Sequence, residues 1–257
     1  MDKFNRINLE SLPPYYQTAC TKLRQDLQES ATNVEMVKHC EKFLESYFMI
    51  PPLWYDFLKL LKSTDAMSYL IENYSYQALQ QFYSEELYPH LILGSKPFTR
   101  TIRAPQYFFS KTKRMTVEQL EDGLTYPHEH LDNLFYHYIQ LTGNPLPPRL
   151  YKEYTKAKKI YDKLCEGYEN EAKWIKVLAT VEDDDYIKQN IEARIAREYT
   201  NKKLWRLYIQ YLDDKNDMWI LSIFCRYCNF FIEDLGMREK YLAKLEFFAA
   251  LEEPVSK

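Results

Sequence analysis

The residues of this 257-residue chain whose types and spacing could do chemistry are few and scattered. The most distinctive stretch lies between Glu86 and Glu118, which encloses no acidic residue. Six cations fall there, Lys96, Arg100, Arg103, Lys111, Lys113 and Arg114, interleaved with Phe98, Tyr107, Phe108 and Phe109. Cations neutralise phosphates, and aromatic faces stack on unpaired bases. Lys96, Arg100, Arg103, Phe108, Lys111, Lys113 and Arg114 are therefore candidate contacts for single-stranded RNA or for an acidic partner. The same composition also suits a loop docked on an acidic flank of its own chain, with the aromatics buried as anchors.

Other combinations are weaker. His128, Glu129 and His130, with His137 two turns on, have the residue types of a metal site. On a helix opened by Pro127, however, histidines at i and i+2 diverge, and no cysteine or aspartate stands beside them at ligand spacing. Cys225 and Cys228 have the C-x-x-C spacing. A zinc site needs a second pair, and a redox motif needs a strand before it; this segment reads as helix. Glu182 to Asp185 is an acidic run, but neither Ile187 nor Lys188 supplies the third carboxylate of an aspartate-rich magnesium motif. Asp183 as a helix N-cap, with acids in the first turn, accounts for it. No phosphate-binding glycine loop, nucleophile elbow, zinc-protease motif or dinucleotide fingerprint occurs. The expectation is a non-enzyme with no metal and no cofactor.

The elements that would carry these residues are helices. With Trp174 and Trp205 as position zero, Ile160 and Ile191 lie fourteen residues earlier, and Leu164 and Ile195 ten earlier. Val177, Leu178 and Val181 follow the first tryptophan at three, four and seven; Tyr208, Ile209 and Leu212 follow the second. A third copy centres on Trp54, with Cys40, Leu44, Phe57, Leu58 and Leu61 at the same offsets. Such offsets are the apolar stripe of two helices joined by a short turn. The adjacent tryptophans are 31 residues apart, near the period of helical-hairpin repeats.

Ala157 to Leu164, read as Ala-Lys-Lys-Ile-Tyr-Asp-Lys-Leu, resembles one helix of the HAT, or half-a-TPR, repeat. Pro52 to Leu58 and Leu204 to Leu212 resemble its tryptophan-bearing helix. The likeness covers roughly residues 37–61 and 157–212. It departs from the family where a glutamate often ends the first helix, since Leu61 and Leu212 stand at plus seven. The resemblance implies an all-α fold, a right-handed α-solenoid of antiparallel helix pairs, TPR-like in character. It also implies a nuclear scaffold in RNA processing, such as mRNA splicing or 3′-end cleavage. Expected partners are protein subunits of a ribonucleoprotein complex, with RNA and a second copy as further candidates.

Composition sets bounds. A net charge of −3 excludes a general polyanion binder, and only five glycines occur, each isolated. Twenty-three tyrosines are read mainly as helix-seam residues with hydroxyls at the rim. Five scattered cysteines, without a signal peptide or long apolar run, point to a reducing, intracellular location and no membrane.

Three regions are expected: N-terminal helical repeats over 1–93, the basic aromatic insertion 94–115, and HAT-like repeats over 116–257. Pro14 opens the first helix, Asn33 caps the second, and helices continue through 66–92, with Tyr69, Leu70, Leu79, Phe82 and Leu87 as core candidates. Thr116 with Gln119 forms a capping box. A decayed repeat centres on Leu134, with Leu120, Leu124, Tyr138 and Leu141 at its offsets. Met218 to Phe231 is unusually apolar for the end of a repeat array. Either the last helix, 237–252, covers this stretch, or Trp219, Phe230 and Phe231 form a protein interface.

Overall fold

A computed structural model describes residues 7–64, 68–83 and 115–252. All regular structure among the described residues is helical. In chain order the helices are α1 (Pro14–Glu29), α2 (Asn33–Ser46), α3 (Pro51–Lys62), α4 (Ser68–Phe82), α5 (Val117–Gly123) and α6 (Leu131–Thr142). They continue with α7 (Pro148–Glu166), α8 (Glu171–Leu178), α9 (Asp184–Arg197), α10 (Lys202–Asp214), α11 (Trp219–Phe230) and α12 (Leu235–Glu252). None of them is long and apolar enough to cross a membrane.

The chain divides into two compact units. Of the described residues, one contains 7–64, 68–78 and 198–252; the other contains 79–83 and 115–197. Of the expected insertion, 94–115, all but Met115 lies outside the described residues. Residues near both ends share one unit because large aromatic side chains from each end are buried against each other. Tyr16 meets Phe230 edge-on at 4.6 Å, and Phe48 meets Trp205 at 5.6 Å and Phe230 at 6.2 Å. The Phe48 N–H donates to the Asn229 carbonyl at 3.4 Å.

In this unit α1 packs on α2, α2 on α3, α10 on α11 and α11 on α12. Prolines open α1 and α3, where a missing N–H costs nothing. The expected face of α1, Tyr16, Cys20, Leu23 and Leu27, is buried. Thr32, rather than Asn33, caps α2. Thr32 has a glutamate three residues on, so its hydroxyl accepts from the Glu35 N–H while the Glu35 carboxylate accepts from the Thr32 N–H. Asn33 has Met36 at that spacing and becomes the first helical residue. On α4 the buried residues of this unit are Ile71, Ser75 and Ala78; Leu79 and Phe82, also buried, belong to the other unit. Tyr69 lies on the opposite side and is exposed, and Leu87 lies outside the described residues.

In the other unit α5 packs on α6 and α7 on α8, and a short 3-10 turn, Ala179–Val181, links α8 to α9. The Thr116–Gln119 capping box is present in both directions. Gly123 lets α5 and α6 approach closely: a Cβ there would stand 2.6 Å from the Leu134 side chain. Leu120, Leu124, Leu134 and Tyr138 are buried as the decayed repeat requires, whereas Leu141 is exposed. Gly143 ends α6 with φ +68°, the left-handed conformation that glycine adopts freely.

All three repeat tryptophans, Trp54, Trp174 and Trp205, are at most 2% exposed. Trp54 and Trp174 each sit on the second member of a packed helix pair, α2 with α3 and α7 with α8. The division into units falls between α9 and α10, inside the copy centred on Trp205.

Trp205→Ala should lower unfolding stability by about 3–5 kcal/mol in a denaturant titration. It removes a buried indole whose Nε1–H donates to the Tyr199 carbonyl at 2.9 Å. Gly143→Ala should cost about 1 kcal/mol in the same assay, through backbone strain alone.

Candidate functional site

The basic residues Lys96, Arg100, Arg103, Lys111, Lys113 and Arg114, with Phe108, lie outside the described residues. The candidate interface of Trp219, Phe230 and Phe231 does not form one exposed surface. Phe230 and Phe231 are buried, within 4.8 Å of each other and against Tyr16, Phe48, Tyr199 and Tyr227. Trp219 is half-buried, with Arg226 over its ring at 5.4 Å. The apolar run that marked this segment is a packing surface for α1 and the 47–50 turn. The exposed apolar side chains lie one helix later, on α12: Leu235, Leu242, Leu245 and Phe247. Met237 and Phe248 are its buried residues, so α12 covers α11 while leaving its own outer side partly apolar.

The histidine cluster has a structural explanation. Pro127 does not open α6; the helix starts at Leu131. His128 is buried in the preceding turn, where its Nε2–H donates to the Gly123 carbonyl at 3.0 Å and its Nδ1 accepts from the His130 N–H at 3.1 Å. Both ring nitrogens are thus engaged, and the imidazole takes the place of a backbone turn of helix. Burial pushes its pKa down to about 4. No group of three metal-ligating side chains occurs among the described residues.

All five cysteines are free. Cys225 and Cys228 are half-buried on α11, and burial pushes the Cys228 thiol up to about 11. A redox-active thiol is pushed the other way. Asp183 caps α9 as its position implied: Oδ1 accepts from the Tyr186 N–H and Oδ2 from the Tyr126 hydroxyl, both at 2.9 Å. Beside it is a cleft of about 290 Å³, lined by Tyr126, Pro127, Glu153, Lys156, Ile160 and Glu182 among others. Its lining holds three carboxylates and one ammonium but no histidine, cysteine or serine. The hydroxyl of Thr125, which also borders it, donates to the Asp122 carbonyl.

Two polar clusters were not legible from motifs. Asp234 accepts from Tyr227 at 2.6 Å, Arg206 at 2.8 Å and Lys202 at 2.9 Å, tying α10 and α11 to the start of α12. Burial pushes the Asp234 carboxyl up, but these hydrogen bonds outweigh it and hold the group well below the usual carboxylate range. Arg194 is buried between two rings, 4.0 Å from the centre of Tyr168 and 4.8 Å from that of Trp174, and donates to the Tyr168 carbonyl. It links α9 to α8 through cation–π contact. The only sequence signal was a cation placed between the apolar positions Ile191 and Ile195.

Comparison with protein-family models finds no match to this chain, and a search of curated proteins also returns none.

The His128 pKa falls from 6.5 in the unfolded chain to about 4 in the fold, so protonation penalises the native state. Its contribution is complete above pH 6.5 and lost as the pH falls toward 4, on the order of 3 kcal/mol by linkage. Thermal melts between pH 7 and 4 should show that slope in the wild type, and His128→Gln should flatten it. Asp234→Asn should lower stability at neutral pH by about 2 kcal/mol. A depressed carboxylate stabilises above its unfolded pKa, so the deficit should shrink as the pH drops below about 4.

Proposed function

We propose that this protein is a non-catalytic scaffold: a divergent HAT-like helical-repeat subunit of an RNA-processing complex. The observation that carries this reading is the burial of Trp54, Trp174 and Trp205. Each is fully buried on a helix that follows another after a short turn. A motif that recurs in sequence and is buried in each copy is the property expected of a repeat unit. In this reading the helix pairs are elements of a right-handed α-solenoid, and the protein works in the nucleus by binding partner proteins. The outer side of α12, with Leu235, Leu242, Leu245 and Phe247 exposed, supports a protein partner at that end.

A second reading rests on the composition of residues 96–114, six cations with aromatic residues and no acid. It is direct binding of single-stranded RNA through that segment.

Crosslinking of the tagged protein in its native cells, with sequencing of bound RNA and identification of co-purified proteins, separates the two. Abundant RNA-processing proteins without RNA crosslinks are the scaffold result. Crosslinks concentrated on 96–114 are the RNA-binding result. Reversing Lys111, Lys113 and Arg114 to Glu should leave the melting temperature unchanged; RNA binding that survives the reversal would remove this segment as the contact.

A further inference from the structure

The outer side of α7 carries a feature that neither reading uses. Arg149, Lys152, Lys156, Lys159 and Lys163 follow one another at spacings of three, four, three and four residues. That spacing places all five on one helix face, in a nearly straight line of about 21 Å at 1.5 Å per residue. All five are exposed. None makes an ion pair or side-chain hydrogen bond among the described residues, whereas Lys158, on another face of α7, is paired with Asp132 at 2.6 Å. Of the acids of α7, Glu153 lies at the cleft edge and Asp162 to the other side, while Glu166, three residues after Lys163, ends the stripe with a carboxylate.

An ordinary solvated helix face mixes signs, because like charges three or four residues apart repel. The outer side of α12 does so, with Arg238, Glu239, Lys240 and Glu246 all exposed. The α7 face tolerates four successive like-charge neighbours in a chain whose net charge is −3. A ligand with its own regular line of negative charge relieves that repulsion all along the stripe.

We infer that this face of α7 is a track for the sugar–phosphate backbone of a single-stranded nucleic acid. A nucleic-acid strand presents one phosphate per nucleotide along a line, whereas an acidic peptide of matching charge must carry a special sequence of its own. Tyr151, exposed on the flank of α7 beside this face, offers a ring on which an unpaired base can stack. The track is built from phosphate contacts, so it sets affinity and orientation without reading sequence. It is independent of residues 96–114 and of the scaffold reading.

The test is fluorescence anisotropy of labelled oligo-uridine against the full chain over a salt series. Lys152, Lys156 and Lys159, all changed to Gln, should weaken binding about tenfold or more at low salt and reduce the log–log salt slope by about 2. Lys22, Lys38 and Lys240 changed to Gln make the same change in net charge at exposed positions elsewhere, and should leave both nearly unchanged. Oligo-thymidine in parallel separates the shared backbone chemistry from a preference for the ribose hydroxyl; binding of either strand that depends on the α7 lysines supports the track. A wild type that does not bind either strand overturns the proposal. So does an α7 variant that binds as the wild type does while the Lys111, Lys113 and Arg114 reversal abolishes binding. Tighter α7-dependent binding of a polyglutamate peptide than of either oligonucleotide replaces the nucleic acid with an acidic protein partner.

Discussion

The contact on which the terminal unit depends is aromatic. Tyr16 and Phe48, from the first quarter of the chain, meet Trp205 and Phe230, from the last. Local helix pairs form wherever an apolar stripe and a cap occur, but they do not by themselves bring residues 14–62 to residues 198–252. Rings packed edge to face bury large areas and prefer defined angles, so they hold the two ends in one arrangement. The Tyr16 hydroxyl donates to the Phe48 carbonyl inside the same cluster, which leaves its polar end satisfied. The two ends are separated by more than a hundred residues of chain, and closing that loop costs entropy. The buried aromatics supply the offsetting stabilisation.

Tyrosine lets such seams be both apolar and specific. Buried or half-buried rings donate outward to carboxylates and carbonyls: Tyr74 to Glu41, Tyr126 to Asp183, Tyr186 to Pro127 and Tyr227 to Asp234. Each pairing costs little because the ring is buried either way, and an unmet hydroxyl there would be destabilising. Arg194 plays a comparable part between Tyr168 and Trp174. The chain thus converts an unusually high tyrosine content into helix-to-helix registration. The remaining exposed tyrosines, Tyr15, Tyr69, Tyr76, Tyr136 and Tyr151, lie outside these seams.

Side chains whose types raised the possibility of chemistry serve local structure instead. His128 completes a turn, Asp183 caps a helix, and Cys228 is a half-buried thiol shifted away from reactivity. Motif-based reading singled them out because it sees residue type and spacing but not hydrogen-bond partners. The straight cationic face of α7 was overlooked for the opposite reason. Its spacing is plain in the sequence, but it carries no named motif, and exposed lysines on a helix ordinarily pass as a solvated face.

Helix type, many of the helix ends and the burial of the three tryptophans were determined by sequence alone. Proline at the first position, a threonine capping box and a 3.6-residue apolar period act within a turn or two of chain, so local spacing states them completely. Thr32 and Leu131 mark where that reading was off by one and by four residues, because a reciprocal capping box and an imidazole outcompeted the nearer signals. The tertiary structure alone decided that residues 198–252 join the N-terminal helices α1 to α3, and that Phe230 and Phe231 face inward. Those outcomes depend on which apolar faces find one another across long stretches of chain, and a periodic stripe records that a face is buried without recording its partner.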